Sequence, residues 1–303
     1  MLGKPTFAVA AVAAILPIQV LAQEISGATT LGFGLGSVSD GGGDFNVLSL
    51  DSQMRVDFNN GLSLGAGLSL ARLDADGADS DPRLSAFNLD LRYGMANGVN
   101  IGGYVDHGKL EDDIFFDDSM TSYGLLIGRS TDLMDVEFFV GTTDIKDVSG
   151  LDWTDVGLSA STSLGDAGVI GGHVVNSHLS GGGASADMTS VGLGAAYGFG
   201  NGLTGFGGLT YADLDGEGDV TTVGIGLGYD LSGWTNMPMV ASLELSRSRL
   251  SESGVGSIDV DSVRFGLTLP LGGSSTVAPQ NSTAAAAMEP RRNALSTTLL
   301  GMY

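Results

Sequence analysis

An antiparallel transmembrane β-barrel of about fourteen strands is predicted by three observations. Hydrophobicity alternates with period two along most of the chain, short turns interleave with longer acidic connections, and aromatic residues recur at one end of the strands. Val99 to Lys109 and Val169 to Leu179 alternate poorly, so the count falls between twelve and sixteen.

The alternation is cleanest from Leu48 to Phe58. Leu48, Leu50, Met54, Val56 and Phe58 share one face, with Ser52 its only polar member. Ser49, Asp51, Gln53, Arg55 and Asp57 share the other. A face carrying those charges is wet, so the apolar face must meet a protein core or lipid. The pattern returns from Phe87 to Tyr93, where Asn88, Asp90 and Arg92 are the polar positions. It returns again in Val223, Ile225, Leu227, Tyr229 and Leu231, alternating with Gly224, Gly226, Gly228 and Asp230. Val263 to Leu271 repeats it, with Arg264 on the polar side.

The connections come in two kinds. Short ones lie at 59–61, 96–98, 132–134, 165–167, 200–202 and 232–236, several with the Asn-Gly chemistry of tight hairpins. Longer acidic ones lie at 39–44, 74–82, 111–119, 146–152, 180–187, 213–219 and 251–257. They alternate strictly, so both ends of the barrel fall on the side of the short turns, the periplasmic side of an outer-membrane barrel. Phe58, Tyr93, Tyr197, Phe199 and Tyr229 sit just before short turns, where a ring of aromatics would mark the inner membrane–water interface. A soluble sandwich also alternates; the hairpin series, the aromatic ring and an export signal favour the barrel.

That signal is the start of the chain. Phe7 to Val20 is an apolar run, followed by Val20-Leu21-Ala22, and residues 1–22 read as a cleaved secretory signal. The run is short for a membrane helix, and no later segment reaches the roughly 18 apolar residues a span needs. Residues 23–271 then form the barrel. The chain has no Cys and 49 Gly in 303 residues, with 35 acidic against 13 basic side chains and a net charge of −22. Phosphate binding needs clustered Lys and Arg, so nucleic acid is not a partner. Hydrophobic residues make up 43% and recur regularly, which argues against disorder.

With these elements in place, the chain resembles the Gram-negative diffusion porins, the alphaproteobacterial ones in particular. The residues that carry the resemblance are Gln23-Glu24-Ile25-Ser26-Gly27, Asn60-Gly61-Leu62-Ser63-Leu64-Gly65-Ala66 and the closing strand Val263 to Leu271. The resemblance implies an outer-membrane location and passive diffusion of ions and small polar solutes through a water-filled bore. Two departures stand out. Glu111 to Ser119 is short where such porins fold a long third loop into the pore. The chain also continues for about thirty residues past its last strand, where such porins usually end on a strand with a terminal aromatic. The alternative reading is a structural or surface-binding barrel with a closed lumen. The expected partners are outer-membrane lipid and lipopolysaccharide outside, small hydrophilic solutes and ions inside, and a second copy in a homo-oligomer.

Candidate functional residues follow from the inward face. Asp51, Arg55, Asp57, Asp90, Arg92, Arg129, Glu137, Asp230, Glu244 and Arg264 are expected to line the pore, because charged rings set selectivity in a wet channel. Asp74, Asp76, Asp213 and Asp215 place carboxylates around glycine as weak calcium candidates, without the distant Glu of a helix–loop–helix site; solvated loop tips are the simpler reading. The histidines are His107, His173 and His178, and no Ser–His–acid set emerges, so no enzyme and no cofactor are expected. Residues 272–303 form a periplasmic C-terminal tail, low in complexity from Ser274 to Ala287. Pro290 would open a short helix with Arg291 and Arg292 at its start and Leu295 and Leu299 on one face. Such a tail either binds a periplasmic partner or plugs an acidic lumen.

Overall fold

The computed structural model describes residues 22–302 apart from 40–41, 76–81, 113–115, 132, 147, 149, 166, 236, 255 and 273–277. The leader expected over 1–22 lies, except for Ala22, outside the described residues.

The strands are β1 (Ala22–Val38), β2 (Gly43–Phe58), β3 (Leu62–Ala75), β4 (Arg83–Gly94), β5 (Val99–Asp112), β6 (Phe116–Ser130) and β7 (Met134–Ile145). They continue with β8 (Leu151–Ser163), β9 (Gly168–Gly181), β10 (Ala184–Gly200), β11 (Leu203–Leu214), β12 (Gly218–Asp230), β13 (Val240–Glu252) and β14 (Gly256–Leu271). Each pairs antiparallel with the next, and β1 pairs with β14 from Gly27↔Leu271 to Val38↔Val260, closing a barrel of fourteen strands. The two poorly alternating segments are full strands, β5 and β9. Closure leaves no edge, so every ladder group inside the bilayer has a partner.

The outer face carries the expected apolar band. Leu31, Leu48, Leu125, Ile127, Leu193, Ile225, Leu227 and Leu245 are all exposed on it. Ser52, the polar member of the β2 outer face, shares a 2.8 Å hydrogen bond with Thr29, so its hydroxyl is satisfied within the band. At the lower rim, which bears both ends of the barrel, Tyr93, Tyr197, Phe199 and Tyr229 are exposed on the outer face. Trp234, on the one-turn helix α1 (Ser232–Thr235), joins them, its ring 5.9 Å from that of Tyr229. The lower turns use the expected chemistry. In Asn60-Gly61 the Asn Oδ1 accepts from Leu62 N at 3.1 Å and Gly61 takes φ +81°, a conformation that favours glycine.

The upper connections differ from expectation. Several of the segments expected as long loops are partly strand: β9 and β10 are joined through Gly182 and Gly183, and β11 and β12 through Asp215, Gly216 and Glu217. A strand needs about 9–11 residues to cross a bilayer, while β1 and β10 have 17 and β14 has 16. The surplus stands above the lipid, where ladder hydrogen bonds persist and side chains turn charged on the outer face. Arg247 lies opposite Asp261 with hydrogen bonds of 2.6 Å, and His178 lies opposite Asp187 at 2.9 Å. Lys109 and Glu111, at 2.5 Å, mark the same border on β5. Acidic composition alone could not separate a polar strand from a loop.

The tail, expected as a periplasmic appendage with one helix, lies within the barrel and carries two. Helix α2 (Thr283–Met288) and helix α3 (Ala294–Met302) both pack against β9–β12. α3 starts at Ala294 rather than Pro290, because Asn293 supplies the cap: its Oδ1 accepts from Ser296 N at 2.7 Å.

Candidate functional site

The inner wall carries hydroxyls on many strands, interrupted by apolar patches such as Tyr104, Leu126, Phe139 and Val175. Thr30 bonds Thr268 at 2.8 Å across the closing seam, Ser122 bonds Thr143 at 2.6 Å, and Thr222 bonds Ser248 at 2.8 Å. These residues were not singled out from the sequence, where attention went to charge.

Most of the expected pore-lining residues do face inward. Asp51, Arg55 and Asp57 share the inner face of β2, Asp90 and Arg92 that of β4, and Glu137 that of β7. Arg92 ties this side together: its Nε donates to Asp90 at 2.5 Å and its Nη1 lies 2.6 Å from Glu137 Oε2, three strands away. Glu244 on β13 and Arg264 on β14 are register partners, 3.6 Å apart and almost fully buried. Asp230 points inward at the lower rim, where its Oδ1 accepts from Ser232 N at 2.8 Å and caps α1. Arg129 is a correction. On β6 the outer face is Tyr123, Leu125 and Ile127, and Arg129 shares their parity, exposed near the lower rim opposite Val99 and Val136. Alternation was misjudged by one residue there, and one residue reverses a side chain's face.

The calcium candidates are not drawn together. Asp74 is in β3, Asp76 lies outside the described residues, and Asp213 is in β11 opposite Asp219, its Oδ2 accepting weakly from Gly216 N at 3.4 Å. Asp215 takes the tight turn at φ +44°. Among the described residues there is no group of three or more His, Asp or Glu arranged to hold a metal. Ser177 faces inward and bonds Asp155 at 2.5 Å, while His178 is on the outer face, so the neighbouring pair is split across the wall.

What the sequence reading left open is the occupant of the lumen. From Ala278 to Met302 the tail crosses the bore at mid-height, anchored at successive points. Gln280 N donates to Thr30 at 2.9 Å and Thr283 N to Glu244 Oε1 at 3.0 Å. Arg291 Nη2 donates to Ser69 at 2.7 Å, Asn293 Nδ2 to Ser122 at 2.7 Å, and Ala294 N to Ser177 at 2.9 Å. Finally Arg264 Nη2 donates back to the Met302 carbonyl at 2.8 Å. Asn293 is 1% exposed and Ala284, Ala287 and Ala294 are 0% exposed.

The fit is close because both surfaces are small. α2 reads Thr-Ala-Ala-Ala-Ala-Met, and the strands facing it offer Gly192, Gly194, Gly208 and Gly224 on their inner faces. A Cβ at Gly194 would come within 2.5 Å of the Ala284 carbonyl oxygen, and one at Gly208 within 2.5 Å of that of Thr283. Glycines on β10, β11 and β12 thus provide a seat for helix backbone. His173, on β9, accepts the edge of this seat: its Nδ1 donates to the Ala287 carbonyl at 2.7 Å. Below the plug a cavity of about 360 Å³ remains, lined by Gln53, Arg55, Asn88, Arg92, Glu137 and Glu289 among others.

None of the family models or curated proteins compared matches the chain. Solved structures do. An anion-selective porin from Comamonas acidovorans superposes with a TM-score of 0.53 at 10% identity, over 82% of this chain and 99% of that one. A Pseudomonas aeruginosa FadL homologue gives 0.52 at 12% identity, over 82% and 90%. A mutant of the monoaromatic hydrocarbon channel TodX gives 0.50 at 12% identity, over 82% and 91%. At these identities the likeness is one of fold. Fold, lipid-facing band and aromatic girdle together define an outer-membrane β-barrel, with its C-terminal segment folded into the bore.

Proposed function

We propose that the protein is an outer-membrane channel for passive diffusion of ions and small polar solutes, its bore narrowed by its own C-terminal segment. The observation that carries this reading is the source of the filling. Fourteen strands enclose a lumen too wide for wall side chains to close. Here one segment, held by hydrogen bonds and ion pairs, fills mid-lumen against a wall rich in hydroxyls and charged groups. A segment held in the bore by noncovalent contacts can leave; a core of wall side chains cannot.

Two of the similar structures are described as a porin and a hydrocarbon channel, and passage of solutes is the reading shared with this chain. The polar wall favours hydrophilic solutes over hydrocarbons. No cofactor and no reaction enter this function. Residues 1–22 serve as export signal, lipid and lipopolysaccharide surround the barrel, and a homo-oligomer is compatible with its outer face.

The second reading, a surface-binding barrel with a closed lumen, is favoured by the depth of the plug, with Ala284 and Ala294 fully buried. Planar-bilayer recording of the purified mature protein separates the two. Discrete conductance steps support the channel. A silent wild type that stays silent when the plug anchors are removed establishes the closed barrel.

A further inference from the structure

The tail's second arginine sits in a site more specific than a plug requires. The Arg292 guanidinium carbon lies 5.2 Å from the centre of the Tyr104 ring and 5.0 Å from that of Phe139. Its Nη1 donates to Glu137 Oε1 at 2.5 Å, and its backbone N donates to Asp106 at 3.3 Å. The two rings meet edge to face, centroids 5.8 Å apart at 80°, and are 5% and 0% exposed. Gly124 and Gly141 clear the space that the Tyr104 hydroxyl enters, where a Cβ would overlap it. Two aromatic rings and a carboxylate around one cation are the elements of organic-cation recognition. The flat guanidinium, forked toward the carboxylate while lying over a ring, suits them better than an ammonium.

We infer that Tyr104, Phe139 and Glu137 form a binding site for an organic cation of the guanidinium class, which Arg292 fills as an intramolecular ligand. All three residues belong to the wall, on β5 and β7, so the site persists when the tail moves. Glu137 is equipped for the exchange: Arg92 holds Oε2 from the wall at 2.6 Å, leaving Oε1 for the incoming cation. A free alkylguanidinium or an arginine side chain competes with Arg292 for the same oxygen and rings, and its binding weakens the tail's hold at that point. The site stands whether or not the lumen conducts.

The test uses the full chain with Arg292→Ala, titrated calorimetrically in detergent with ethylguanidinium chloride. Saturable binding at least tenfold tighter than by wild type is expected, because the wild-type site is already filled. Adding Glu137→Gln should weaken it at least tenfold while heat-modifiable gel migration shows the barrel intact. Arg292→Gln, closer in length to the native side chain, is a second variant held to the same criteria. A folded variant that binds no better than wild type, binding indifferent to Glu137→Gln, or equal affinity for tetramethylammonium would overturn the assignment. Conductance plays no part in this readout, so its outcome is independent of the channel proposal.

Discussion

Glu244 and Arg264 stand directly opposite one another on β13 and β14, and together they hold both ends of the plug. Glu244 accepts from Thr283 N at the start of α2, while Arg264 donates to the Asn281 carbonyl just before it and to the Met302 carbonyl at the end of α3. The helical hairpin is therefore clamped at its two ends by one cross-strand ion pair.

Breaking that pair should free the tail. Arg264→Met leaves the Glu244 carboxylate buried without its cation and removes the anchor on Met302. Losing one partner of a buried pair costs about 3–5 kcal/mol, enough to overcome the hold at one end of the plug. The expected result is higher single-channel conductance and proteolysis of residues beyond Leu271 in a folded barrel. Unchanged conductance and a protected tail would show that the clamp is not what retains the plug.

The glycine seat makes a second prediction. Gly208→Ala or Gly194→Ala places a methyl group against the backbone of α2 and should loosen the tail without harming the wall. Gly103→Ala, on the outer face, meets only the Gly124 carbonyl oxygen at 3.3 Å and serves as control. Amide hydrogen exchange in residues 283–288 should rise at least tenfold in the first two variants and stay near wild type in the control.

Lipid contact makes a third. Leu227 is exposed on the outer face, so Leu227→Arg puts a charge in the bilayer at a cost of about 2–4 kcal/mol near its midplane. Leu50→Arg should do the same. Gln53 lines the lower cavity, and Gln53→Arg should be tolerated. Urea titration of refolded protein in vesicles measures the difference, and equal losses at Gln53 and Leu227 would contradict the assigned faces.

Selectivity makes a fourth. The net charge of −22 is concentrated in part at the upper rim, in Asp213, Asp215, Glu217 and Asp219. Their field should enrich cations at the mouth and fade as salt shortens a Debye length of about 10 Å at 0.1 M. Reversal potentials should show a mild cation preference that declines with salt. Neutralising those four residues should reduce it, and replacing Arg55 and Arg92 by Gln should raise it. Arg129→Gln should leave it unchanged, since that side chain faces away from the bore.

The barrel was legible because lipid imposes a strict rule. An outward residue in the band must be apolar or, like Ser52, have its polar group satisfied by a neighbour, so period two survives in Leu48 to Phe58 and Val223 to Leu231. Above the lipid that rule lapses, and Arg247 or Asp187 on an outer face looks like loop although its backbone is ladder. The plug was harder to read for a different reason. Its sockets are glycines and hydroxyls such as Gly208, Ser122 and Thr30, which carry no charge or hydropathy signal and are scattered over strands far apart in sequence. One clue was present: the inner glycines at 192, 194, 208 and 224 cluster on neighbouring strands, and the alanine run at 284–287 is small enough to meet them. Only a known register brings those two facts together.

The position of the plug in the chain also fixes when it can act. Its sockets are supplied by strands from β1 to β14, including both partners of the closing seam, and none of them exists as a surface until the strands are joined in register. Residues 278–302 follow the last of those strands. Docking of residues 278–302 therefore comes after closure: Glu244, Ser69 and Ser122 stand at the separations the plug needs only when all fourteen strands are paired in register.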